Sequence, residues 1–309
     1  MKAPARRLRG LARLALRGIV LSLALAACAA GAEVRVHDID GRPVVLPRPA
    51  LRVISLAPHL TELLFAVGAG HRVVGTVAFA DYPDAATRVP RVGDSALLDL
   101  ERIIALQPDL VLVWRHGNSP QQLDRLAALR LPTYASEARS FADIARTLRD
   151  LGALTGHAAE AEQRAARFEA AVAELHNRYV GRQRLRVFYQ IWDQPLITVN
   201  GEHLISQALA LCGADNVFAT QRLLTPTVSR EAVTVLDPDA IVAGWLDAFG
   251  GRPPLDAWQR LSALRAVRRG HLVQVDPDLL HRQSDRVVEG ARELCEKLDA
   301  VRAATPERR

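Results

Sequence analysis

The chain contains no Gly-x-Ser-x-Gly elbow, no phosphate loop ending in Lys-Ser/Thr, no Gly-x-Gly-x-x-Gly fingerprint and no His-Glu-x-x-His helix. Serine acyl transfer, nucleotide binding and zinc-assisted hydrolysis therefore have no local signature to rest on. Close His/Asp/Glu clusters of metal-site spacing are missing too. His116 and His281 stand apart from other ligands, so direct metal ligation is a minority reading for each. His59 and Glu62, three apart at a helix start, read as a solvated surface pair rather than as two metal ligands.

Acidic residues are absent before position 28, whereas Lys2, Arg6, Arg7, Arg9, Arg13 and Arg17 carry six positive charges. The apolar run after them, residues 18–27, is too short to cross a bilayer but suits the core of a secretory signal. It ends Leu25-Ala26-Ala27-Cys28, which fits lipoprotein processing with Cys28 as the lipidated first residue after a leader of 1–27. Ala30-Gly31-Ala32 would suit ordinary signal peptidase, but lipidation also accounts for the cysteine. Of 40 basic and 34 acidic residues, removing the six leader charges leaves 34 against 34. A near-neutral mature chain gives no support to a nucleic-acid partner. Cys212 and Cys295 remain, either as two buried thiols or as a disulfide, and export favours the bridge.

One pattern occurs twice. Residues 100–114 read LERIIALQPDLVLVW and residues 230–245 read REAVTVLDPDAIVAGW. Each has an N-cap residue (Asp99, Ser229), then a glutamate in the first helical turn (Glu101, Glu231), then Pro-Asp and an apolar run. Ile103, Ile104 and Leu106, and Val233, Val235 and Leu236, are spaced for one face of a short helix. Proline stops that helix and the run after it reads as a buried parallel strand. Two copies predict two similar lobes, each presenting one glutamate to a partner with two equivalent halves.

The rest of the chain fits that frame. A hairpin is expected over 33–50, turning at Asp40-Gly41, and strands alternate with helices from there onward, which predicts α/β layers with parallel pairing. Residues 157–180 hold neither Gly nor Pro. Leu154, Ala158, Ala161, Ala165, Phe168, Val172, Leu175 and Tyr179 mark one stripe of a long amphipathic helix. That helix reads as a rigid strut between lobes, with a coiled-coil seam as the competing interpretation. Expected boundaries are an N-terminal lobe at 33–153, a connecting helix at 154–182, a C-terminal lobe at 183–302 and a tail at 303–309. Trp114 and Trp192 end predicted strands, where α/β folds place ligand clefts, while Trp258 reads as core.

The segments RVISLAPHLTELLFAVGAG, FADYP, LERIIALQPDLVLVWRHGN, ALCGADNVF, VSREAV and DPDLLHR, with a cysteine in the last helix, together resemble the periplasmic substrate-binding proteins of ABC importers. The resemblance covers residues 51–302 and is to the members with a single connecting helix, especially the cobalamin binders. It implies two α/β lobes with mainly parallel sheets, joined by one long rigid helix. By position, it implies that Glu101 and Glu231 dock onto arginines of a permease dimer and that Cys212 pairs with Cys295. Phe79, Trp114 and the segment Asp278, Leu279, Leu280, His281 and Arg282 would line the cleft. The pattern departs at Ser95 and Thr225 (tryptophan positions), Ile197 (a phenylalanine position) and Phe79 (a tyrosine position); Trp192 and Trp245 are the candidate replacements. The expected function is capture of cobalamin or a related corrinoid by a monomeric, lipid-anchored periplasmic protein that is not an enzyme and holds no resident cofactor or metal. Haem or a ferric siderophore is the alternative cargo. More distant readings are a periplasmic enzyme built on His116, His281 and Asp278, or a purely structural lipoprotein.

Overall fold

The computed structural model describes residues 33–94, 97–245 and 253–304. The leader, Cys28 and Ser95 lie outside the described residues. The chain opens with an antiparallel hairpin, β1 (Val34–His37) and β2 (Pro43–Leu46), whose turn contains Asp40 and Gly41. Next come β3 (Val53–Ser55), α1 (Pro58–Ala66), β4 (Val73–Gly75), α2 (Leu100–Ala105), β5 (Leu110–Trp114), α3 (Pro120–Ala128), β6 (Thr133–Ser136) and α4 (Phe141–Thr155). The long helix α5 covers Ala158–Tyr179. The second half contains β7 (Leu185–Gln190), α6 (Leu204–Leu211), β8 (Ala214–Asn216), α7 (Arg230–Leu236), β9 (Ala240–Gly244), α8 (Arg265–Arg268), β10 (Leu272–Val275), α9 (Pro277–Leu280) and α10 (Val287–Ala303).

Each half builds a four-stranded, all-parallel sheet. The order is β4-β3-β5-β6 in the first and β8-β7-β9-β10 in the second, so the two lobes share one topology. The repeated segment supplies the third strand of each. Its Pro-Asp has a structural duty in both copies: Asp109 accepts from the backbone N–H of Arg52 beside β3 at 2.9 Å, and Asp239 accepts from that of Arg186 in β7 at 3.0 Å. The caps are formed as expected, Asp99 accepting from the Arg102 N–H and Ser229 from the Ala232 N–H. Both copies also turn through a left-handed residue at the same place, Gln107 (φ 47) and Asp237 (φ 40), so that a helix can reverse directly into a strand.

Two helical details differ from expectation. Ile103 and Val233 are fully buried, but Ile104 is 52% and Val235 85% exposed. Leu106 and Leu236 are half-buried against the same clusters as Ile103 and Val233, so each short helix turns two of the three expected residues to the core and the predicted stripe was one residue too wide. The strut is also shorter than 154–182. Leu154 belongs to α4, which ends at Gly156 in the left-handed conformation (φ 76), and α5 begins only at Ala158. Along α5, Ala161, Ala165, Phe168, Leu175 and Tyr179 are buried, whereas Ala158 faces solvent. This stripe packs on α4 of one lobe and on α6 and α10 of the other. The seam is thus intramolecular, and its small residues allow close approach.

The largest apolar core is continuous from the first lobe through α5 into the second, running from Val53, Leu110 and Leu112 through Ala165 and Phe168 to Val187, Val242 and Leu298. Smaller clusters cover the outer face of each sheet. A shared core resists lobe movement, since separating the lobes would expose apolar surface at roughly 25 cal/mol per Å². Cys212 after α6 and Cys295 in α10 form a disulfide across 83 positions. In the chain-entropy treatment such a loop contributes ~4.5 kcal/mol.

Candidate functional site

Parallel α/β sheets place ligand sites beyond the carboxyl ends of their strands. The C-terminal lobe has a cavity of about 1220 Å³ there. Ile191 and Trp192 follow β7, Gly244 and Trp245 end β9, and Pro277 and Asp278 follow β10. Among the described residues, the wall comes entirely from this lobe. Trp192 is 61% exposed, and its indole N–H donates to the Gln194 carbonyl at 3.0 Å. Ile197 exchanges backbone hydrogen bonds with Trp192 and so closes the small loop that presents the ring.

Of the residues expected in the cleft, Trp192, Trp245, Asp278, His281 and Arg282 meet on this wall. Leu279 and Leu280 do not. Leu280 is 1% exposed and belongs to the main core, and Leu279 lies against Gly290 of α10. A helical turn points only one side at the cavity; residues 278, 281 and 282 share it, while Leu280 faces the core and Leu279 the side of α10. Phe79 and Trp114 are also off the wall. Phe79 is 78% exposed in a left-handed conformation (φ 62) on the opposing lobe. Its loop is nonetheless tied to the cavity edge, because Arg282 Nη1 donates to Asp81 at 2.8 Å. Trp114 packs edge-on against His59, ring centroids 5.1 Å apart.

The two histidines weighed as ligands for a metal-centred macrocycle are already engaged. His281 shares a hydrogen bond of 2.9 Å through Nε2 with the Tyr189 hydroxyl, and burial lowers its pKa to about 4. A side chain at Gly244 would place its Cβ 2.8 Å from this imidazole, so glycine ends β9 where the ring must pass. His116 Nδ1 lies 2.9 Å from buried Glu137. The described residues contain no group of three or more His, Cys, Asp or Glu able to hold a metal ion.

The expected surface pair His59 and Glu62 is instead buried, at 3% and 2% exposure. The first turn of α1 faces the other lobe rather than water. Glu62 accepts from Arg282 at 2.7 Å and from the Ser284 hydroxyl at 2.8 Å, with Arg286 at 3.6 Å. Burial raises its pKa despite these partners, since desolvation penalises the carboxylate. For Asp81 burial works the same way, but the Arg282 contact outweighs it and the pKa falls. His59 is held down to about 3 by burial and then by the Arg282 charge. Residues 281–286 (HRQSDR) thus form a strap between the lobes. Gln283 adds bonds to Glu137 (3.0 Å) and to the Ala138 N–H (2.9 Å), Asp285 pairs with Arg164, and the Arg286 guanidinium stacks 3.7 Å above the Tyr82 ring. Only Arg282 and His281 of this strap were anticipated. Its one sequence signal is an unbroken polar stretch between two helices.

Glu101 and Glu231 occupy equivalent exposed positions in the first turns of α2 and α7. Glu231 is held below the ordinary carboxylate range by its own backbone N–H and the Ser229 hydroxyl. Arg230, the residue before it, points into the cavity, where it pairs with Asp193 at 2.9 Å.

Two like lobes on a shared core, with a cavity at the strand ends of one and an exposed glutamate on each, define a two-lobed ligand-binding protein. The chain belongs to the periplasmic binding protein family, whose sequence profile matches residues 53–279. It is 36% identical over 259 residues to the vitamin B12-binding protein of Yersinia pestis (strain Pestoides F), covering 84% of this chain and 90% of that one. The crystal structure of the periplasmic vitamin B12 binding protein BtuF of Vibrio cholerae superposes with a TM-score of 0.75 at 31% identity, covering 82% and 98% of the two chains. The periplasmic haem-binding protein RhuT of Roseiflexus sp. RS-1 shares the fold, with a TM-score of 0.70 at 23% identity over 82% and 99%.

Proposed function

We propose that this protein is the substrate-binding component of an ABC importer for cobalamin or a related corrinoid. The cavity beside Trp192 and Trp245 carries the argument. At about 1220 Å³ it exceeds the roughly 300–1,000 Å³ of ordinary small-molecule pockets, so it suits a bulky ligand with large flat surfaces. Indole faces at its rim supply apolar contact to such a ring system. Similarity to proteins named for vitamin B12 supports a corrinoid over haem or a siderophore. The ligand bridges the C-terminal wall and the Phe79–Tyr82 side of the other lobe. Glu101 and Glu231 then seat the loaded monomer on the two halves of the permease, where complementary charge sets register. The leader exports the chain, and a lipid on Cys28 holds it at the inner membrane.

Calorimetric titration of the processed, disulfide-intact protein with cyanocobalamin tests the reading. One-to-one binding weakened about tenfold or more by Trp192→Ala is expected. Absence of binding, together with absorbance bands of haem on the protein as purified, would replace cobalamin with the alternative cargo.

A further inference from the structure

Among the described residues three guanidinium groups reach the cavity wall, and two are committed. Arg282 is shared among Glu62, Asp81 and Asp278. Arg230 is held by Asp193 and stacks over the Trp258 ring at 5.6 Å. The third, Arg260, is exposed and has neither an ion pair nor a side-chain hydrogen bond among the described residues. Asp256, the carboxylate nearest to it in sequence on the same wall, accepts instead from Gln259 at 3.3 Å.

This cation sits on an anchored support. Leu255, Trp258, Leu261 and Leu264 recur every three residues and pack into the outer core of the lobe, with Trp258 fully buried. The Trp258 indole N–H donates to Gln190 Oε1 at 2.6 Å, and successive turns link Trp258 to Leu255, Gln259 to Asp256 and Leu261 to Trp258. With the apolar residues pinned inward, positions 259 and 260 project towards the cavity. A guanidinium with no ion pair among the described residues of such a wall is suited to a bidentate pair of anionic oxygens, which an ammonium cannot match in geometry.

We propose that Arg260 forms a subsite for an anionic phosphodiester on the ligand, so that the site selects corrinoids carrying a nucleotide loop over those without one. The proposal rests on the corrinoid reading above. A charge-assisted hydrogen bond of this kind corresponds to about a tenfold or greater difference in affinity. It weakens with added salt, because Arg260 is open to solvent.

The experiment is parallel titration of the exported, disulfide-intact protein and its Arg260→Gln and Arg260→Lys variants with cyanocobalamin and dicyanocobinamide, which lacks the nucleotide loop and its phosphodiester. The expected result is about tenfold tighter binding of cyanocobalamin by the unaltered protein. That preference should be lost in Arg260→Gln, retained in part in Arg260→Lys, and reduced in high salt. Equal affinity for both ligands in the unaltered protein overturns the subsite while leaving the corrinoid reading intact. So does a preference that survives Arg260→Gln. Binding of neither ligand overturns the corrinoid reading itself, and the subsite with it.

Discussion

Replacing Arg282 by methionine tests whether the strap at 281–286 holds the lobes together. Glu62 has a side chain only 1% exposed, and Arg282, itself 14% exposed, is its shortest charged partner at 2.7 Å. Stranding one member of a buried pair costs ~3–5 kcal/mol. Ser284 and Arg286 remain beside Glu62, so the lower end, ~3 kcal/mol, is expected at neutral pH. The Asp81 contact adds little, because that carboxylate is half exposed. Combining Arg282→Met with Glu62→Gln removes the stranded charge, and the double variant should recover about 2 kcal/mol relative to additivity. The cost also depends on pH in a defined direction. It is present where Glu62 must ionise and shrinks as pH falls through the raised pKa of that group, since the protonated acid needs no cation. Urea unfolding read by circular dichroism, with an unchanged slope and a shifted midpoint, measures each cost. A loss under ~1 kcal/mol for the single variant, or strict additivity in the pair, would refute the interpretation of 281–286 as a strap.

Two further predictions concern docking and acid stability. Glu101→Ala with Glu231→Ala should abolish most ligand uptake in cells or vesicles while leaving affinity for the free ligand within about twofold, because both carboxylates stand on exposed tips; a matching fall in affinity would remove them from a docking role. Neutral burial of His59 (about 3), His203 and His281 (each about 4) means that the native state binds fewer protons than the unfolded chain from about pH 6.5 downwards. Stability is therefore full above pH 6.5 and falls as pH drops towards 4, at about 1.4 kcal/mol per pH unit for each such histidine. Glu62 opposes this in part, since its raised pKa makes the folded state take up a proton first. Replacing His59 by phenylalanine, which keeps an aromatic edge against Trp114, should flatten the profile by about one proton; an unchanged slope contradicts the assignment.

Local chemistry was enough to predict the repeated helix–turn–strand units, with their caps at Asp99 and Ser229 and their glutamates at Glu101 and Glu231. Capping, proline termination and apolar runs all act within a few residues. Helix-forming composition and a three-and-four stripe likewise revealed α5, and strand ends pointed to Trp114 and Trp192, of which Trp192 reaches the cavity wall. What escaped the sequence depends on which surfaces meet. His59 and Glu62 look like a solvated pair until the other lobe covers them. HRQSDR looks like a surface loop until each polar group finds a partner on the opposite side. Leu279 and Leu280 adjoin the ligand wall in sequence, but Leu280 lies in the core and Leu279 against α10, because the pitch of one helical turn, rather than adjacency, decides what reaches the cavity. Arg260 carries no signal at all in a linear reading: its significance comes from lining the cavity without an ion pair among the described residues, which is a property of its neighbours. Sequence thus determined the elements and the duplication, through interactions that close over a few residues. Burial, pairing and the identity of the cavity wall were decided by tertiary structure, because they arise only when the two lobes and the helix between them share a core.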